Sequence, residues 1–157
     1  MPSLRGLSGE RRSLLNAGAM ANPPVQGKQK LARGLGASPG VATGAIVLSA
    51  AEAKARGDRG EAVILVRIET SAEDVDGMRA AKGILTTRGG LTGDAAIVAR
   101  ILEKPCVAGC TAIHVDYREL RLTVAVEDER RTTREHIVLT EGDVVTIDGT
   151  TGDVFRG

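Results

Sequence analysis

The chain has 157 residues, enough for one domain and too few for two of ordinary size. Its 21 basic and 20 acidic residues nearly cancel, and Tyr117 and Phe155 are its only aromatics. That composition argues against a nucleic-acid-attracting field and a base-stacking platform, and no apolar run approaches the ~20 residues that span a bilayer. No apolar segment follows the basic residues near the start, as a secretory signal would require. Cys106 and Cys110, spaced Cys-x-x-x-Cys, make neither a disulfide framework nor, without a second ligand pair, a zinc site. A reducing cytoplasm is the expected compartment, and no metal or cofactor is expected.

Charge divides the chain. Residues 1–33 carry Arg5, Arg11, Arg12, Lys28, Lys30 and Arg33 against Glu10 alone, a net of +5, which leaves −4 for residues 34–157. With Asn22-Pro23-Pro24 and isolated glycines, residues 1–33 read as a basic, flexible arm with a short helix around Gly9–Ala17. The folded domain, 34–157, opens on the turn-rich "GLGASPGVATG", where Pro39-Gly40 signals a type II turn. Ala45–Ser49 reads as a strand. Ala50–Arg56 reads as a short helix stopped by Gly57. Ala62–Ile68, apolar and β-branched, is a buried strand. Thr70 or Ser71 caps a helix running through Met78–Ala81, with Glu73 and Asp74 at its positive end. Gly83–Thr86 is a strand, "TRGGLTGD" a loop, Asp94–Leu102 a helix ended by Pro105, and Cys106–Ala108 a strand. The remainder alternates: Leu120–Val126, His136–Leu139, and a hairpin of Asp143–Asp148 with Asp153–Phe155 around Gly149–Gly152. The mixed-sign run Glu127–Arg134 reads as a solvated hairpin tip. Strand–helix units followed by a β-rich tail make a mixed α/β domain of layered sheet and helix.

The chemistry concentrates in Ile84–Arg100, "ILTTRGGLTGDAAIVAR". A buried strand leads through Arg88, Gly89 and Gly90 to a helix N-terminus. The glycines let a ligand approach main-chain amides. The first helical turn offers free N–H donors and partial positive charge, which favour a phosphate. Arg88 adds a forked cation for phosphate oxygens.

This loop resembles the phosphohistidine signature of the phosphoenolpyruvate-utilising enzymes, most of all their pyruvate phosphate dikinase branch. The family pattern runs Thr-Arg-Gly-Gly, an apolar residue, Thr-Ser-His-Ala-Ala, an apolar pair and Ala-Arg. The stretches "GLGASPGVATGAIV", "VILVRIETSAEDVDGM", "EKPCVAGC" and "EGDVVTIDGTTGDVF" are similar to it as well, in order over residues 34–157. The resemblance implies a swivelling β/β/α mobile domain, mixed sheets with helices on one side. In full enzymes of this kind it carries a phosphoryl group between a nucleotide-binding domain and a phosphoenolpyruvate/pyruvate-binding barrel. It implies a phosphate cradle of Thr87, Arg88, Gly89, Gly90 and Thr92. Thr92 matches a threonine that is phosphorylated for regulation in plant dikinases.

The chain departs from the pattern at its centre: where the family has Ser-His, it has Gly93-Asp94. Asp94 thus stands at the family's phosphohistidine position without the carrier imidazole. Three roles are open to it. It can cap the helix; it can mimic a bound phosphate or exclude anions; or it can accept a phosphoryl group as an acyl phosphate. The last chemistry usually needs a metal held by neighbouring acids; no acidic cluster is adjacent in sequence, and Glu73, Asp74 and Asp76 are the acids that folding would have to bring near. The loop backbone is expected to be tuned to glycine at 93, so that restoring a carrier would take both Gly93→Ser and Asp94→His. His114 and His136 lie in alternating stretches without glycines or a following helix, and read as strand or surface residues. Cys106 and Cys110 read as core.

With no Walker-type loop and no room for a nucleotide-binding or barrel domain, the expected function is a non-catalytic binding or regulatory module. The alternative is the phosphoryl-carrier component of a split or variant phosphotransferase. Its partners would be a nucleotide-binding domain and a phosphoenolpyruvate/pyruvate-binding domain in trans, with neither nucleic acid nor membrane.

Overall fold

A computed structural model of the protein describes residues 25–127 and 134–157. Six strands come first: β1 (Gln29–Arg33), β2 (Leu35–Ser38), β3 (Val41–Val47), β4 (Val63–Arg67), β5 (Gly83–Thr86) and β6 (Cys106–Ala108). Between them lie α1 (Ala50–Asp58), a 3-10 turn over Ala72–Asp74, α2 (Val75–Ala80) and α3 (Asp94–Leu102). Then β7 (Ile113–Asp116), β8 (Arg121–Glu127) and β9 (Arg134–Thr140) form a three-stranded antiparallel sheet. Finally β10 (Val144–Asp148) and β11 (Asp153–Arg156) return to the first sheet. That sheet has eight strands in the order β1-β11-β10-β3-β4-β5-β6-β2. Its centre, β3 to β6, is parallel.

The large sheet is sandwiched, and its strands show why. Along β4, Val63 and Leu65 belong to the core under the helices, with Ala53, Met78, Ala96 and Ala99. Ile64 and Val66 belong to the core under the small sheet, with Val115, Leu122, Val124 and Leu139. A strand buried on both faces needs a continuous apolar run, not an alternating one. The small sheet has one buried face, so its strands alternate: in β7, Ile113 and Val115 are buried while His114 is exposed. His136 in β9 is exposed in the same way. Each large side chain so buried stabilises the fold by ~1.5–3 kcal/mol. The layers are therefore small sheet, large sheet, helices, which is the β/β/α architecture that the resemblance implied.

Several expected boundaries move. Gln29–Arg33, assigned to the arm, is β1, paired with β11, and its Leu31 is only 3% exposed. Lys30 and Arg33 stay on the outer face, 3.0 and 3.6 Å from Asp153. The folded domain thus begins before residue 34, because a partner more than a hundred residues away supplies the pairing. Residues 1–24, with the helix expected at Gly9–Ala17, lie outside the described residues, as does the tip expected over Glu127–Arg134 apart from its two ends. The turn-rich start contains β2, which pairs with β6. Gly40, at φ 116°, makes the turn after it.

Gly57 does not stop α1, which runs on to Asp58 after its cap, Ser49 Oγ, accepts from the Glu52 N–H at 3.1 Å. Gly57 and Gly77 are instead where α1 and α2 touch: a Cβ at Gly57 would lie 2.6 Å from the Ala80 carbonyl oxygen, and one at Gly77 would lie 2.5 Å from Ala50 Cα. Helix α3 ends at Glu103, which turns left-handed at φ 56°, before Pro105 is reached. Cys106 and Cys110 are buried free thiols, and burial pushes both up to about 12. Among the described residues, no helix is long and apolar enough to cross a membrane.

Candidate anion site at the head of helix α3

The parallel strands β4 and β5 end side by side, with Arg67 opposite Thr86. Ligands of open α/β sheets sit beyond such carboxyl ends. Here the pairing runs slightly past the strands: the Thr87 N–H donates to the Arg67 carbonyl at 3.2 Å, and the Arg88 N–H to Ile68 at 3.0 Å. The Thr86 hydroxyl then donates to the Arg88 carbonyl at 2.8 Å and bends the chain. Gly89 takes φ 92°, which strains any other residue type. The loop closes when the Gly93 N–H donates to the Gly90 carbonyl at 3.1 Å.

Helix α3 starts there. Its first internal bond runs from the Ile97 N–H to the Gly93 carbonyl at 3.1 Å. The amides of Asp94, Ala95 and Ala96 therefore have no helical partner. The residue at the cap is Gly93, and its conformation (φ −72°, ψ 166°) is open to any residue. Asp94 is the first helical residue, and no side-chain cap bond is made. This corrects the reading of Asp94 as the cap. It also corrects the expectation that the backbone is tuned to glycine at 93. A Cβ there would meet Gly90 N and O, both at 3.4 Å, and Gly89 Cα at 3.8 Å, which are ordinary contacts. From the last turn of α3, Arg100 reaches back: Nε donates to the Ala37 carbonyl at 2.8 Å, and Nη2 donates to the Leu91 carbonyl. Arg100 thereby fastens the loop to β2.

These elements enclose a pocket of ≈ 240 Å³. The loop and helix contribute Arg88, Gly89, Gly90, Gly93, Asp94 and Ala95; Thr86 and Ala108 line it from the strands. The opposite wall is Glu69 and Thr70, just past β4. Thr70 is only 9% exposed, yet its hydroxyl has no hydrogen-bond partner among the described residues. A buried hydroxyl left unpaired costs about 1–3 kcal/mol. Asp94 and Arg88 are exposed. The pocket carries one fixed positive charge, Arg88, and two carboxylates, Glu69 and Asp94.

Of the expected cradle, Arg88, Gly89 and Gly90 line the pocket, while Thr87 and Thr92 do not. Thr87 is buried beside the strand ends, and Thr92 is exposed on the loop. Glu73, Asp74 and Asp76 do not line it either. Asp74 is occupied in accepting from the Ser71 N–H at 2.9 Å. Among the described residues, no three metal-ligating side chains cluster. Glu69 and Thr70 escaped the reading of the loop because they are far from it in sequence, and Arg100, the last residue of that stretch, was given no role there. The usable signal was the pairing of two apolar strands, which puts whatever follows Ala62–Ile68 beside whatever follows Gly83–Thr86.

The sequence of residues 60–152 matches the family described as "PEP-utilising enzyme, mobile domain". This chain belongs to that family. The mobile domain is 52% identical over 124 residues to pyruvate, phosphate dikinase of Rhizobium meliloti (strain 1021), covering 79% of this chain and 13% of that protein. It is 46% identical over 136 residues to chloroplastic pyruvate, phosphate dikinase 1 of Zea mays, covering 87% of this chain and 13% of that protein. Against the Clostridium symbiosum dikinase the identity is 45% over 123 residues, covering 78% and 13%. A solution NMR structure of Enzyme I is similar with a TM-score of 0.40 and 25% identity, covering 62% of this chain and 31% of that one. The mobile domain thus spans about an eighth of the length of the dikinases it matches.

Proposed function

We propose that this dikinase-like mobile domain is a non-catalytic binding or regulatory module that holds an oxyanion at the head of α3 without taking a phosphoryl group from it. The observation that carries the reading is the place of Asp94: it lines the same pocket as Arg88, at the position where the family resemblance puts the carrier imidazole. The free amides of the first helical turn, the Arg88 guanidinium and the unpaired Thr70 hydroxyl are all donors to an anion. Asp94 opposes them. Its charge sits at the positive end of the helix and repels an incoming oxyanion. A carboxylate is also shorter than an imidazole and lacks its ring nitrogen nucleophile. Buried thiols in place of disulfides suit a reducing, cytoplasmic setting.

A second reading keeps the domain as the phosphoryl carrier of a split system, working with nucleotide-binding and phosphoenolpyruvate-binding partners in trans. It is favoured by the retained Arg88, Gly89 and Gly90 around the pocket.

Titration with inorganic phosphate, followed by amide shifts, tests the first reading. The shifts are expected at Gly89–Ala96, with weak affinity in the natural chain. Asp94→Asn should bind on the order of tenfold more tightly, the equivalent of removing about 1.4 kcal/mol of repulsion. Equal affinity in the two proteins would take Asp94 out of the site.

A further inference from the structure

The wall that presents Thr70 hangs from a structure outside the pocket. Tyr117 follows β7 in the small sheet, and its hydroxyl accepts from the Ile68 N–H at 2.7 Å. The carbonyl of that same peptide unit, that of Arg67, accepts from the Thr87 N–H at 3.2 Å, and the next carbonyl along, that of Ile68, accepts from the Arg88 N–H at 3.0 Å. Hydrogen bonds in such a chain polarise and align one another. Arg67 braces the arrangement. Its guanidinium lies 4.7 Å from the Tyr117 ring centroid, and its Nη1 donates to the Leu48 carbonyl at 2.8 Å. Its Nε is 3.9 Å from Asp74 Oδ2, the oxygen that holds the Ser71 N–H. The segment Ile68–Ser71 is therefore gripped at both ends, and Glu69 and Thr70 lie between the grips.

We infer that Tyr117 and Arg67 are positioning residues for the pocket, by which the small sheet sets where the Thr70 hydroxyl and Arg88 stand. Neither residue lines the pocket. The ring keeps Arg67 stacked. The phenolic oxygen holds the Arg67–Ile68 peptide, whose carbonyl takes the Thr87 N–H and so fixes the backbone from which the Ile68 carbonyl meets Arg88. The inference rests on the reading of the pocket as an anion site only in its ligand arm.

Tyr117→Phe separates the two effects, because it keeps the ring and removes only the acceptor. The first measurement is amide hydrogen exchange without ligand. Exchange at Ile68 and Arg88 should quicken by about tenfold or more relative to natural protein, while amides within β7, β8 and α3 keep their protection and show that the fold is intact. The second is the phosphate titration. The same residues at Gly89–Ala96 should shift, with affinity lowered by roughly threefold to tenfold. Unchanged exchange at Ile68 and Arg88 would overturn the inference. So would quickened exchange with phosphate affinity equal to that of the natural chain. Quickened exchange in a protein whose natural form takes up no phosphate would leave the positioning role standing and sink the anion reading instead.

Discussion

Asp94→His alone is expected to turn the domain into a phosphoryl acceptor when a dikinase-type phosphoenolpyruvate-binding partner is supplied in trans. Position 94 is the first residue of α3, with side chain exposed and lining the pocket. Histidine there needs no change of backbone. The positive helix end disfavours the imidazolium, which keeps the ring neutral and nucleophilic near pH 7. In the transfer, the ring nitrogen would form a bond to phosphorus as the ester P–O bond of phosphoenolpyruvate breaks and the enolate of pyruvate leaves. Arg88 and the amides of the first turn would hold the phosphoryl oxygens. Gly93 does not need to change with it, since its φ is −72° and a Cβ there would meet nothing closer than 3.4 Å. Gly93→Ser should add only a cap, worth a few tenths of a kcal/mol. The measurement is incorporation of labelled phosphate from phosphoenolpyruvate. It should rise from background in the natural chain to a stoichiometric fraction in Asp94→His, with an acid-labile product. A base-labile acyl phosphate on the natural chain, absent from Asp94→Asn, would establish the carrier reading in place of the module reading. No label in Asp94→His or in the double variant would mean that this pocket does not receive a phosphoryl group.

The largest loss of stability is expected from Gly149→Ala. Gly149 opens the turn between β10 and β11, and its N–H donates to the Gly40 carbonyl at 2.7 Å. A Cβ at this position would lie 1.8 Å from the Ser38 carbonyl oxygen and 2.8 Å from Cys106 N. Both neighbours are backbone, so relief requires that the turn leave β2 and β6. A cost of about 3 kcal/mol or more follows, and a midpoint of thermal unfolding lower by roughly 10 °C. Gly90→Ala is the contrast. It meets nothing within 4 Å and has no positive φ, so it should stay within ~0.5 kcal/mol of the natural chain. Thermal unfolding of the two variants checks the argument, and a Gly149→Ala protein as stable as the natural one would refute the packing of this turn.

What the sequence disclosed, and what it hid, follows from the range of the interactions. Gly83–Thr86, Asp94–Leu102 and Cys106–Ala108 were legible to the residue because each carries its own signal: a doubly buried run, or a helix with a glycine loop before it. Strands β1 and β2 were not. "QKLAR" and "LGAS" bury only Leu31, Ala32, Ala37 and Ser38, and their partners lie at Asp153–Arg156 and Cys106–Ala108. The site divides in the same way. Arg88, Gly89, Gly90 and Asp94 were found as neighbours in one loop. Thr70 and Glu69 come from another strand, and Arg100 from the far end of the helix. Gly57 misled because a glycine that lets two helices touch looks, in one dimension, like a glycine that ends one.

The large sheet begins and ends its order with β1 and β2, which are separated in the chain by Gly34 alone. The Gly34 N–H bonds to the Gly152 carbonyl at 2.8 Å, and a Cβ on it would lie 2.7 Å from the Ala108 oxygen. The sheet thus curls until its two margins meet at one residue. Margins are where sheets recruit foreign strands, because unpaired amides and carbonyls there template aggregation. Here one margin is five residues long and runs against β8, and the other is four residues long and lies under the turn at Gly149–Thr150. Among the described residues, a β-rich domain built in this way shields both margins of its large sheet, which lowers its tendency to pair edge to edge with a second copy at high concentration.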